Sequence, residues 1–410
     1  MAGCPWKFSQ GKFLCTVRDP QCYPTVPVFR KPTSPLRDST RSTDMNYTSS
    51  AATRTRRLLR ARRFAQTFAV TALFAVGIEQ ARAQGCVAIK QMDDASCRLD
   101  GLDFSAPNLW SLAVDAEHFR SHRHYVGTVE QTQRAANGSE VVNKVDQVDV
   151  AVTYAQSAQL SWTLGVPYFS AARSSLYEHD RVHRFTTHAH GIGDIRVGGQ
   201  WWWLQPQQAT SHNIAFGFSL KMPTGNTNAK DWFHTPQGLV YRNVDQSIQP
   251  GDGGWGLGVS FQAFQRLMPS VSLYTSGFYL LNPKEANGTR TTSSNPITQY
   301  NSVADQYQLR LGASHVLVRR YGLTASLGGR LEGVPALDLI GGNSGFRRPG
   351  YVVSIEPGLS CSTSRDSFSL SVPIAVIRDR VRSYADMQSG GHGDAAFADF
   401  LFNFSYAHRF

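Results

Sequence analysis

The chain ends on a strand pattern that few folds tolerate. Counting back from the terminus, alternate positions are Phe410, His408, Tyr406, Phe404, Phe402 and Phe400, with Arg409, Ala407, Ser405, Asn403 and Leu401 between them. A repeat of two puts the bulky set on one face of a β-strand. On a soluble domain such a face, running to the last residue, would invite aggregation. It is stable where the face meets lipid and the strand closes a barrel, because a closed sheet leaves no edge.

The same alternation recurs upstream, starting with a strand near 110–121. Val148, Val150, Val152 and Tyr154 share one face, as do Leu160, Trp162, Leu164 and Val166. Ile195, Val197, Gly199, Trp201 and Trp203 form the next set, then Ile214, Phe216, Phe218, Leu220 and Met222, then Trp255, Leu257, Val259 and Phe261. Segment 270–281 is apolar on both faces, so its register stays open. Further runs start near Tyr307, Leu323, Tyr351 and Phe368, before the terminal strand. Short links fall near 157–158, 205–211, 267–269, 316–321 and 362–366; long ones occupy roughly 122–146, 168–191, 223–253, 282–302, 334–349 and 377–397. Strict alternation of short and long links is expected of an all-β, antiparallel transmembrane barrel of about 12 strands, with both termini on the side of the tight turns. Pro357 and Pro373 each remove a ladder hydrogen bond, so either bulges or strand boundaries shifted by a residue or two are expected there.

The formal charge of +11 suggests nucleic-acid binding only until it is divided along the chain. Residues 1–83 hold 14 Lys/Arg against 4 Asp/Glu, leaving 27 against 26 in the remainder. No nucleic-acid partner is expected of so balanced a body. The leader reads as an export signal: a cationic run from Arg54 to Arg63, an apolar stretch from Phe64 to Ile78, and small residues at Ala81 and Ala83. The expected organisation is an N-terminal extension over 1–44, upstream of a start at Met45, then a signal peptide over 45–83. A periplasmic segment over 84–108 and a barrel over 109–410 follow. In an oxidising compartment Cys86 and Cys97 are candidates for a short-loop disulfide. No later segment reaches about 18 unbroken apolar residues, the minimum for a spanning helix.

The face opposite the bulky residues carries Gly, Ser, Ala and a few charges. Slipping the register by one residue would turn Lys221, Arg310 or Arg330 toward lipid, at roughly 2–4 kcal/mol each near the midplane. Asp149, Asp194, Arg196, Lys221, Arg310, Arg330, Glu332 and Glu356 are therefore the candidate lumen residues. They read either as a selectivity ladder or as an ion-pair network filling a narrow barrel; twelve strands lie between the filled and the open cases.

Two resemblances add to this reading. The terminal strand resembles that of Gram-negative outer-membrane barrels, with His408 as a departure; this implies a location in the outer membrane and recognition by the barrel-assembly machinery through the strand ending at Phe410. Gly191-Ile-Gly-Asp-Ile195, Pro223-Thr-Gly225 and Gly251-Asp-Gly-Gly-Trp-Gly256 resemble the phenol meta-pathway family of transporter-like outer-membrane proteins over about 190–280. That likeness implies passive passage of small hydrophobic or aromatic molecules, with no catalytic residue and no cofactor to carry over.

Other chemistry is weaker. His122 with His124, and His188 with His190, put imidazoles on one strand face, but nothing supplies a third ligand, so no metal is expected. Gly251–Gly254 precedes a strand rather than a helix, which removes the dipole a phosphate loop needs. Ser161 and Ser219 lie on strands without a nearby His, as a phospholipase-like hydrolase would require. An adhesive or structural barrel with a closed lumen is the principal alternative. Trp201-Trp-Trp203 is expected to form part of an interfacial aromatic belt near a tight turn.

Overall fold

A computed structural model describes residues 107–410. The expected extension, signal peptide and Cys86–Cys97 pair lie outside the described residues. Among the described residues fourteen strands build the wall, with a two-residue strand at Val129–Glu130 added at the loop end. They are β1 (Leu109–Val126), β2 (Val142–Ala155), β3 (Leu160–Ser175), β4 (Phe185–Ile192), β5 (Arg196–Trp202), β6 (His212–Lys221) and β7 (Gly256–Met268). The rest are β8 (Val271–Leu281), β9 (Gln306–Val318), β10 (Leu323–Val334), β11 (Gly350–Ser362), β12 (Asp366–Ser371), β13 (Ile374–Asp379) and β14 (Ala395–Arg409).

Because β4 runs on into β5, and β12 into β13, these strands make twelve antiparallel staves. The sheet closes where β1 pairs β14, from Ser111 opposite Arg409 to Tyr125 opposite Ala395. Pairing extends to the last residue, since the Phe410 N–H donates to the Trp110 carbonyl at 3.0 Å. Tight turns gather at one end (156–159, 203–211, 269–270, 319–322 and 363–365) and long loops at the other. Among the described residues no helix is long and apolar enough to cross a membrane.

Side-chain direction follows the alternation. Phe402, Phe404 and Phe218 are 44%, 45% and 53% exposed on the outer face, so no dry interior shelters them. A continuous apolar exterior of this kind calls for lipid rather than water. His408, the departure in the terminal pattern, holds the last tight turn: its Nδ1 lies 2.8 Å from Asp366 Oδ1, to which the Tyr406 hydroxyl donates at 3.0 Å. Trp201 and Trp203 face outward near a tight turn, whereas Trp202 is buried inside and meets Phe264 edge-on at 6.2 Å. In β8 the open register resolves with Tyr274, Phe278 and Leu280 turned inward and Leu273 outward.

Two expectations need correction. The strands reach further toward the loop end than the apolar pattern implies: β1 extends to Val126 and β3 to Ser175. There the outer face changes from apolar to charged, with Arg120, Lys144 and Asp146 exposed, so hydrophobic alternation ends while the ladder continues. The two prolines do not make two separate bulges. Pro357 stays inside β11 opposite Val372, and Pro373 is the next residue in the gap between β12 and β13.

Candidate functional site

The barrel interior holds three layers, each assembled from side chains that alternate away from the apolar exterior. The first lies where the fourth stave is interrupted at 193–195. Gly193 N–H still donates to the Pro167 carbonyl at 2.8 Å, but Asp194 turns its carboxylate out of the ladder. One oxygen accepts the Gly225 N–H at 2.9 Å and the other the Asp252 N–H at 3.0 Å. Ile195 N–H donates to Thr224 Oγ1 at 2.9 Å. The three motifs that read as separate signatures in the sequence therefore meet at one point. Gly225 and Gly251 are required there: a Cβ on Gly251 would stand 2.5 Å from the Gly225 carbonyl oxygen.

Arg196 and Lys221, opposite each other on β5 and β6, face this junction from below. Arg196 Nη2 donates to Asp149 Oδ1 at 2.8 Å, and Gln147 Nε2 to Asp149 Oδ2 at 3.0 Å. Lys221 Nζ pairs with Asp252. A small cavity opens beside the junction, with Pro167, Phe169, Pro250 and Leu280 as its apolar walls.

The second layer crosses the lumen. Arg330 on β10 donates through Nε to Glu332 Oε2 at 2.7 Å, with Nη2 3.9 Å from Glu117 on β1 and Nη1 4.0 Å from Glu356 on β11. Arg310 on β9 reaches the same Glu356 carboxylate at 3.3 Å, and the Ser371 hydroxyl donates to it at 2.8 Å. Two guanidinium groups thus serve three carboxylates. Buried ions are tolerable in this form only because each has a charged partner and further hydrogen bonds.

The third layer is a plug. Within the long loop 222–255, a single 3₁₀ turn over Gln246–Ile248 enters the barrel mouth. Ile248 and Val244 are buried against the wall residues Phe119, Val145, Phe169 and Leu401. The loop's Asp245 accepts a bidentate pair from Arg348, at 2.9 and 2.8 Å, with Arg173 Nη2 at 3.6 Å. Arg173 is itself held by Glu178, with Nη2 to Oε1 at 2.6 Å. Bidentate guanidinium–carboxylate geometry makes this the firmest polar contact of the plug.

Asp149, Arg196, Lys221, Arg330, Glu332 and Glu356 are thus buried inside the barrel; Asp194 and Arg310 are half-buried. Asp149, Asp194, Arg196 and Lys221 converge on the first layer, and the remaining four candidates on the second. Sequence reasoning missed Glu117, Asp252, Arg173 and Asp245. Glu117 was readable, since it alternates with the outward Ala116 and His118 on β1. The others sit in loops or above the apolar band, where no periodicity marks them. Of the four candidate metal-binding histidines, His124 lies 2.9 Å from Asp394, His122 3.8 Å from Asp399 and His188 3.7 Å from Asp231. Among the described residues no group of three or more His, Cys, Asp or Glu is placed to hold a metal ion. Ser161 faces Gln200 across the ladder, and Ser219 faces Gly198 and Gly258, so neither has a base opposite it.

No family model and no curated protein matches the chain. Among solved structures, the barrel is similar to an outer membrane channel from Pseudomonas putida F1, at 13% identity over 78% of this chain and 100% of that one, with a TM-score of 0.49. It is also similar to a Pseudomonas aeruginosa FadL homologue, at 9% identity over 80% and 97% with a TM-score of 0.37. The Pseudomonas putida toluene transporter TodX aligns at 7% identity over 76% and 92%, again with a TM-score of 0.37.

Proposed function

We propose that this protein is an outer-membrane channel of a Gram-negative bacterium for the passive passage of small hydrophobic or aromatic molecules. The observation that carries the reading is the closed twelve-stave wall, apolar and aromatic outside, polar and charged inside. Such a wall has no stable place in water, and twelve staves enclose more room than the eight whose side chains fill the interior. The tight turns and both strand termini then lie on the periplasmic side, and the long loops face outward. The solute class rests on the resemblance of the three motifs now seen to converge, and on the apolar lining beside them. The strand ending at Phe410 is the element offered to the barrel-assembly machinery.

Two observations favour a second reading, a structural or adhesive barrel with a closed lumen. They are the seated plug and the ion pairs spanning the interior. Flux of small aromatic solutes into proteoliposomes, together with single-channel conductance, separates the two. Solute entry above protein-free vesicles supports passage; neither flux nor conductance, in the native chain and in one with the plug released, removes it. Among the described residues a phospholipase-like hydrolase has no catalytic base opposite Ser161 or Ser219 on the ladder, and unchanged lipid hydrolysis in Ser161→Ala and Ser219→Ala would exclude those serines.

A further inference from the structure

The outer face of β1–β4 changes character over three successive cross-strand rows. The lowest is Ala116, Val148, Tyr168 and Ile192, with Tyr168 and Ile192 about half exposed. Next come His118, Asp146, Ser170 and His190, and above them Arg120, Lys144, Ala172 and His188. Arg120 and Lys144 are directly opposite each other and both exposed. Like charges in that relation destabilise a sheet. The nearest carboxylate one row below, Asp146, is engaged by His118 at 2.7 Å, and Asp231 lies 3.7 Å from His188. Among the described residues neither Arg120 nor Lys144 has an ion-pair partner.

We infer that this outward basic pair binds the phosphate of an anionic lipid headgroup in the leaflet facing the long loops. The inference rests on the membrane reading above. Tyr168, the one ring in the lowest row, marks the level where aromatic side chains sit between acyl chains and headgroups. Four residues further along a strand tilted about 40° is a rise of roughly 10 Å. The headgroup layer is about 5–8 Å thick on each side, within reach of two long side chains bending back toward the membrane. A phosphate between Arg120 and Lys144 would replace their mutual repulsion with two charge-assisted contacts. Continuity with the apolar row favours a lipid over a soluble anion, because the acyl chains would rest on Tyr168 and Ile192.

The test is native mass spectrometry of the full-length folded barrel, released from micelles containing equal amounts of phosphatidic acid and phosphatidylcholine. Heat-modifiable migration on gels reports folding, and insertion into vesicles reports the membrane reading by itself. The native chain should retain phosphatidic acid in preference to phosphatidylcholine. Arg120→Gln/Lys144→Gln should weaken that retention about thirtyfold, and Lys144→Gln alone should weaken it less. Solute flux should be the same in all three proteins. Equal retention by the native chain and a folded variant overturns the inference while leaving the channel reading intact. Displacement of the lipid by millimolar inorganic phosphate also overturns it, since that marks a site for a free anion. A native chain that does not insert into vesicles removes both readings.

Discussion

Arg330 on β10 and Glu117 on β1 stand 3.9 Å apart although four steps around the barrel separate their strands. The contact is a chord across the lumen, not a neighbour pair along the wall. Replacing Arg330 by Ala leaves Glu117, Glu332 and Glu356 facing Arg310 alone, so the excess of one carboxylate becomes two. The expected result is a larger conductance with a reversal potential shifted toward cation selectivity. Losing one partner of a buried network costs about 3–5 kcal/mol, so Arg330→Lys, which keeps the charge, serves as the folded comparison. A reversal potential identical in both variants would remove this chord from the conduction path.

The plug gives a second prediction. Asp245→Asn removes the charge that gathers Arg348 and Arg173 while keeping the side-chain shape. The loop over 244–250 should then leave the mouth more often, seen as more frequent open events in single-channel records and faster amide exchange at Val244 and Ile248. A cysteine pair tying this loop to β3 should reverse the gain under oxidation.

The wall and the plug were not equally legible in the sequence. Lipid demands an unbroken period of two, so Phe216, Phe218 and Leu220 or Phe400, Phe402 and Phe404 identify strand and face together. Above the membrane that demand lapses, and Arg120, Lys144 and His188 hide strands that the ladder still pairs. The first layer was half visible: Asp194, Arg196 and Lys221 stood out by alternation, but Asp252 lies in a loop brought near only by the Gly225–Gly251 contact. Val244 and Ile248 are isolated apolar residues in a polar stretch, with nothing to show that they turn inward.

Outward direction at the terminal strand predicts a specific cost. Phe402→Arg puts a guanidinium on the lipid side, worth about 2–4 kcal/mol if the position lies near the midplane and less toward the interfaces. Equilibrium urea unfolding in vesicles should show a loss in that range. A stability equal to that of the native chain would place Phe402 away from acyl chains.

At the loop end, Asp394 joins the segments 127–141 and 380–394. Burial raises its pKa, but the hydrogen bond from His124 and the charges of His124 and Arg134 outweigh burial and hold the carboxyl at about 2, from an ordinary 3.8. Because the folded value is the lower one, its contribution to stability is full above about pH 4 and is lost as pH falls toward 2. Protease cleavage within these loops should rise through that window in the native chain. In Asp394→Asn cleavage should be higher at neutral pH and insensitive to the same acidification.

The prolines supply the last test, because the wall tolerates one of them for a geometric reason. The Pro357 carbonyl accepts the Val372 N–H at 3.0 Å, so the missing donor at Pro357, which points the same way as its carbonyl, faces the gap between β12 and β13. The Val372 N–H still reaches that carbonyl, so the one bond absent is the reciprocal one that residue 357 would donate to Val372, beside the break between β12 and β13. Pro357→Ala should therefore change unfolding free energy by no more than the net worth of one hydrogen bond, about 1 kcal/mol. Ser354→Pro, whose N–H by alternation points to the continuous strand β10, should leave an unpaired carbonyl facing lipid-embedded sheet and prevent recovery of the heat-modifiable folded form. Equal tolerance of both changes would mean that β10 and β11 are not hydrogen-bonded through this stretch, and the closed wall would fail with them.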